Sequence, residues 1–135
     1  MIRTYSELMQ FETLKDRWNY LALKGVVGDI TFGFDRWMNQ QFYRSAEWRH
    51  IRDHVISRDE GCDLGVPGYE IHNRLHIHHM NPLTAEDLKT GNPDIVDPEY
   101  LITTTQLTHN AIHYGDANLL PSPPVIRRPG DTKLW

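Results

Sequence analysis

"NRLHIHHMNP" (residues 73–82) is answered by "YLITTTQLTHNAIHYGD" (residues 100–116), and the fold is read from this pair of segments. The first is a β-prone run that ends in the adjacent His78 and His79, with Pro82 as its stop. The second opens on the β-branched "YLITTT" and passes into a short helical stretch carrying His109 and His113, four residues apart. Histidines at that spacing sit one turn apart on one helix face and can share a metal ion. A strand–loop–strand–helix unit brings the two pairs together. Three imidazoles then hold a cation and the fourth is left as a base. Thr105 or Thr108 caps the helix, and Gly115 closes it.

Strand parity sets a condition on this reading. Neighbours on a regular strand point to opposite faces, so His76 and His78 share a side and His79 does not. Both members of the adjacent pair reach one site if the strand bends at Asn81–Pro82. If it does not, His76 is the alternative ligand.

Working outward, Ser45 caps a helix in which Trp48, Ile51 and Val55 form a core-facing stripe. His50 and His54 fall on its opposite, solvated side, and Gly61 ends it. Arg49 and Arg52 flank the stripe and are candidates for holding phosphates, though solvated or ion-paired arginines fit the same pattern. Earlier in the chain, residues 11–23 read as a helix with Leu14, Trp18 and Leu21–Leu23 apolar, stopped at Gly25. "GVVGDITFGF" follows as a glycine-punctuated loop, and residues 35–43 as a second helix. Residues 82–100 read as a loop in which Thr84 caps one helical turn. From Pro121 the chain reads as an extended proline-rich tail.

A length of 135 residues suits one domain, here residues 1–120, with 1–44 as an N-terminal helical extension, 45–120 as the core and 121–135 as the tail. Apolar content of 39% and charged content of 24% are those of a soluble globular chain, and no apolar run nears bilayer length. No membrane association is expected. "MIRTYSELMQ" lacks the apolar core of a signal peptide, and a single cysteine, Cys62, forms no internal disulfide; a cytoplasmic setting fits. The net charge of -4 weighs against nucleic acid, while the local groups Arg44, Arg49, Arg52, Arg58 and Arg127, Arg128, Lys133 weigh for it. "HNAIH" lacks the glutamate base of the zinc-protease HExxH motif.

"HIHHMNP", "YLITTTQLTHNAIH" and the upstream "FYRSAEWRHIRDHVISRDEGC" together resemble the HNH endonuclease family, over roughly residues 42–116. "RWNYLALKG" and "TFGFDRWMNQQFYRS" resemble the small HNH proteins of tailed bacteriophages. The resemblance implies an α+β fold whose ββα-metal (HNH) core packs against N-terminal helices. It implies His79 as general base and His78, His109 and His113 as ligands of one divalent metal ion (Mg²⁺, Mn²⁺, Zn²⁺ or Ni²⁺). It further implies DNA phosphodiester hydrolysis of low sequence specificity, in the host cytoplasm for a phage chain, with the terminase subunits of genome packaging as partners. The family's middle asparagine, which braces the loop aiming the base, is replaced at the expected position by Tyr100; Asn81, Asn92 and Asn110 are the substitutes at hand. The family's cysteine knuckles are reduced to Cys62, so no second zinc is expected. Two further readings remain: a non-catalytic, metal-stabilised module that binds DNA or protein, and a sequence-specific homing or restriction-like nuclease.

Overall fold

A two-stranded antiparallel sheet occupies the middle of the fold, with a helix against each face. The computed structural model describes residues 2–23, 41–81 and 85–122. In order, the elements are α1 (Tyr5–Leu8), α2 (Leu14–Leu21), α3 (Ala46–Arg58), β1 (Cys62–Asp63), β2 (Tyr69–Glu70), β3 (Leu75–His79), α4 (Ala85–Thr90), β4 (Leu101–Thr105) and α5 (Gln106–Tyr114). Single 3-10 turns cover Pro93–Val96, Pro98–Tyr100 and Ala117–Leu119, and residues 41–44 are helical. The architecture is α+β. The loop at residues 25–34, most of the helix expected at 35–43, the Pro82 stop, the Thr84 cap and the basic group Arg127, Arg128 and Lys133 lie outside the described residues.

β3 and β4 pair in register from Leu75↔Thr105 to His79↔Leu101, and Met80 N donates to Tyr100 O at 3.1 Å to extend the ladder. Directly opposed residues share a face. One face therefore carries Ile77, Thr103, His79 and Leu101; the other carries His76, Thr104, His78 and Ile102. The first packs on α3, where Trp48 and Val55 join Ile77 and Leu101 in one apolar cluster flanked by Phe42, Tyr43, Ile51 and Ile56. The second faces α5 and the N-terminal segment, where Ile102, Met80 and Ile112 join Leu8, Tyr20, Leu21, Leu23 and Leu64. The stripe Trp48, Ile51, Val55 does face the core. Trp18, one of the apolar residues of the first predicted helix, is partly buried at the margin of the second cluster.

The outer edge of β4 is closed by two carboxylates and by Leu64, whose N donates to Thr103 O at 3.0 Å. Asp59 accepts from Thr103 N at 2.8 Å, and Asp63 accepts from Thr105 N at 3.0 Å. Asp63 also takes the Thr105 and Thr108 hydroxyls and Gly65 N, which fixes the start of α5 against β1. Burial raises the Asp63 carboxyl pKa, while those four donors pull it down. Arg58, grouped by sequence with the phosphate-seeking arginines, is turned inward. It donates to Asp59, to Pro98 O and to Leu101 O, and its guanidinium lies 3.7 Å over the Tyr5 ring. It ties α3 to the start of β4, with four of its five N–H donors spent on Asp59, Pro98 and Leu101.

Each helix end is set by local chemistry. Ser45 caps α3 by accepting from Trp48 N, and Thr105 caps α5 by accepting from Thr108 N. Gly115 takes the left-handed φ of 68° that ends α5. The turn after α3 needs two consecutive left-handed residues, Glu60 and Gly61, so glycine relieves only the second. No helix among the described residues is long and apolar enough to cross a membrane.

Candidate metal centre and base

Four of the histidines collect on the α5 side of the β-hairpin. His76 and His78 come from β3, His109 and His113 from one face of α5. His78 is buried, and its Nδ1 stands 3.2 Å from His109 Nδ1. The rings of His78 and His109 lie edge to face with centroids 5.2 Å apart; His76 and His109 lie 4.4 Å apart, and His109 and His113 6.1 Å apart. His109 is thus the hub. Burial first, then mutual repulsion, disfavours the imidazolium of two of them: His78 is held well below 6.5 and His109 down to about 4, in both cases chiefly by desolvation.

Two Nδ1 atoms facing each other can share one hydrogen or one cation. Ligand nitrogens about 2.0–2.1 Å from a tetrahedral zinc stand about 3.3 Å apart, close to the separation found here. Among the described residues His78 Nε2 is buried without a hydrogen-bond partner, and so is Thr104 Oγ1 on the same face. A buried imidazole with one nitrogen unpartnered is costly as a structural residue. Among the described residues no three His, Cys, Asp or Glu side chains already surround a single point. Imidazole rotation about the soft second torsion is therefore part of any closure on an ion. The donor set fits a borderline cation of the zinc, nickel or manganese kind.

His79 is placed elsewhere. The ladder stays regular to its last residue, so the expected bend at Asn81–Pro82 does not turn His79 to the side of His78 within the described strand. Its ring lies under Trp48, nearly parallel at 15° with centroids 5.4 Å apart, and touches Tyr43 at 6.2 Å. Its Nε2 meets Ile95 O at 3.1 Å. A carbonyl only accepts, so Nε2 carries the proton and the lone pair sits on Nδ1. Burial lowers this histidine to about 4, partly offset by the Ile95 carbonyl.

The asparagines named from the sequence, and Tyr100, make separate contacts. Asn81 is tied to the backbone of Arg3 through both side-chain atoms, at 2.7 and 3.0 Å. Asn110 accepts from Gln106 along α5. Tyr100 contributes its carbonyl to the ladder, and neither Tyr100 nor Asn110 makes a hydrogen bond or ring contact with His79 among the described residues. Asn92 caps the turn Pro93–Val96: its side chain accepts from Asp94 N, its carbonyl accepts from Ile95 N, and its amide donates to Asp87. That turn presents the Ile95 carbonyl to His79.

The two arginines proposed for phosphate lie on the solvent side of α3. Arg49 donates to Arg44 O at 3.3 Å, and Arg52 stands 3.8 Å from Asp53. His50 and His54 are exposed. A cavity of about 590 Å³ opens beside the start of α5, lined by Arg74, Asn73, Thr105 and Gln106 among others. Gln106 hydrogen-bonds His76, so the cavity adjoins the histidine cluster. No family model, curated protein or solved structure matches this chain.

Proposed function

We propose that the chain is a metal-dependent endonuclease of HNH type that hydrolyses DNA phosphodiester bonds, built on a ββα-metal core. The observation that carries this reading is the 3.2 Å approach of His78 Nδ1 to His109 Nδ1 beneath a helix that also presents His113. His78, His109 and His113 are the residues that would hold the ion. When bound, a divalent cation supplies charge stabilisation at the phosphoryl group and at the departing 3′-oxygen.

His79 is assigned the proton. With Nε2–H spent on Ile95 O, its Nδ1 lone pair is available to take a proton from the attacking water, leaving 5′-phosphate and 3′-hydroxyl ends. His78 and His79 have α-carbons about 3.8 Å apart, so a phosphodiester laid across the end of β3 meets a ligand from one face and the base from the other. Trp48 fixes the ring plane, and Asn92 fixes the carbonyl. Arg49, exposed, and Arg52, partly buried, supply positive charge on the same helix as Trp48. The phage resemblance adds terminase subunits as partners, tested by co-purification or stimulated cleavage.

Plasmid cleavage across Mg²⁺, Mn²⁺, Ni²⁺ and Zn²⁺, with EDTA as control, tests the assignment. His79→Ala should lower cleavage by about 10²–10⁴-fold and leave metal binding intact. Undiminished cutting by that variant contradicts the role of His79. One observation favours a second reading, a non-catalytic metal-stabilised module: His78 and His79 point to opposite faces of β3. Tight metal binding with no cleavage under any ion would select it.

A further inference from the structure

We propose that His76 is a fourth imidazole ligand, and that zinc draws it in to close the site into a hydrolytically silent form. The inference rests on the metal reading above and concerns what regulates that site. His76 shares its strand face with His78, two residues along. Its ring lies 4.4 Å from that of His109, nearer than either His78 or His113. His109 therefore has imidazoles around it from both β3 and the next turn of α5. His76 is only partly buried, and the polar partner found for it is the amide of Gln106, which can be exchanged for an ion at small cost.

Four nitrogen donors on one ion make a closed tetrahedral site, the pattern of structural zinc, whereas three leave a position for water or phosphate. Zinc accepts four imidazoles readily. Ions that prefer six-fold coordination and oxygen ligands retain water instead. The same four histidines thus give a shut site with zinc and an open one with nickel or manganese. His76, which the catalytic set does not need, is the residue that distinguishes the two.

Cobalt(II), a spectroscopic stand-in for zinc, tests this on the full-length chain alongside His76→Ala and His76→Gln, with circular dichroism to confirm folding. The expected result is one ion per chain in all three proteins, with tetrahedral visible bands in the parent that do not change with pH. In both variants the bands should shift in position and become pH-dependent, as a titratable water takes the open position. Zinc affinity should fall by about tenfold or more, since losing even an outer-shell partner commonly costs that much. Zinc-loaded variants should cleave plasmid faster than the zinc-loaded parent. Identical spectra and zinc affinities in parent and variants overturn the role of His76 while leaving the three-histidine site standing. A parent chain that binds neither cobalt nor zinc overturns the metal reading itself, and this inference with it.

Discussion

At the residue scale, the decisive contrast is between two adjacent histidines that strand geometry drives apart. His78 enters the cluster beneath α5; His79 enters an aromatic slot and is held by a backbone carbonyl. If the Ile95 carbonyl aims the base, Asn92 is a positioning residue. Asn92→Ala should then lower the cleavage rate by about tenfold or more, with metal affinity unchanged, while costing about 0.5–2 kcal/mol as a lost cap in urea unfolding. A rate that falls only in step with stability would make Asn92 merely structural. The same histidines predict a pH dependence. His76, His78, His79 and His109 all titrate below 6.5 in the folded chain because burial disfavours the imidazolium. The unfolded chain therefore takes up protons first. Stability of the metal-free protein is full above about 6.5 and is lost as pH falls toward about 4, by up to about 1.4 kcal/mol per pH unit for each histidine. Urea midpoints between pH 7.5 and 4.5 in EDTA check this; a flat profile would contradict the buried, neutral state of the cluster.

At the element scale, the hairpin and α5 are held by Asp63 and by the close approach of the chain at Gly65. A Cβ added at Gly65 would sit 2.5 Å from Thr108 Cγ2 and 3.2 Å from Asp63 Oδ1. Gly65→Ala should destabilise by about 1–3 kcal/mol, and the loss should register as a lower melting temperature with the helix content of the folded state preserved. An unchanged melting temperature would mean that the β1–α5 junction is loosely packed. Much of this element order was legible in the sequence. β-branched runs, the Ser45 and Thr105 caps and Gly115 are local signals, and the local structure obeys them. The short pairing of Cys62–Asp63 with Tyr69–Glu70 was not legible, because two-residue strands carry no alternation. Residues 85–100, read as loop with one helical turn, form α4 and two 3-10 turns, set by the Asn92 and Asp97 caps ahead of Pro93 and Pro98. The approach of His78 to His109 was legible from spacing; His79 was expected to join them through a bend at Asn81–Pro82, and the regular ladder leaves it on the other face. The seating of the Asn92-capped turn against His79 was not legible, because it joins residues distant in sequence, and Arg58 could not be told from its neighbours.

At the scale of the whole molecule, two small apolar clusters on either side of a two-stranded sheet leave the chain dependent on what joins them. The histidine cluster spans β3 and α5 within one of these halves, so an ion bound there crosslinks strand to helix. A ligand that binds only the folded state stabilises it by about 2.7 kcal/mol at a hundred times its dissociation constant. Saturating zinc should raise the melting temperature by several degrees and EDTA should reverse it. The most direct test of the account is calorimetric titration of zinc into the metal-free chain and into His109→Ala. The account predicts one ion per parent chain and a loss of affinity of about tenfold or more in the variant. No binding by the parent, or equal binding by both, would contradict it.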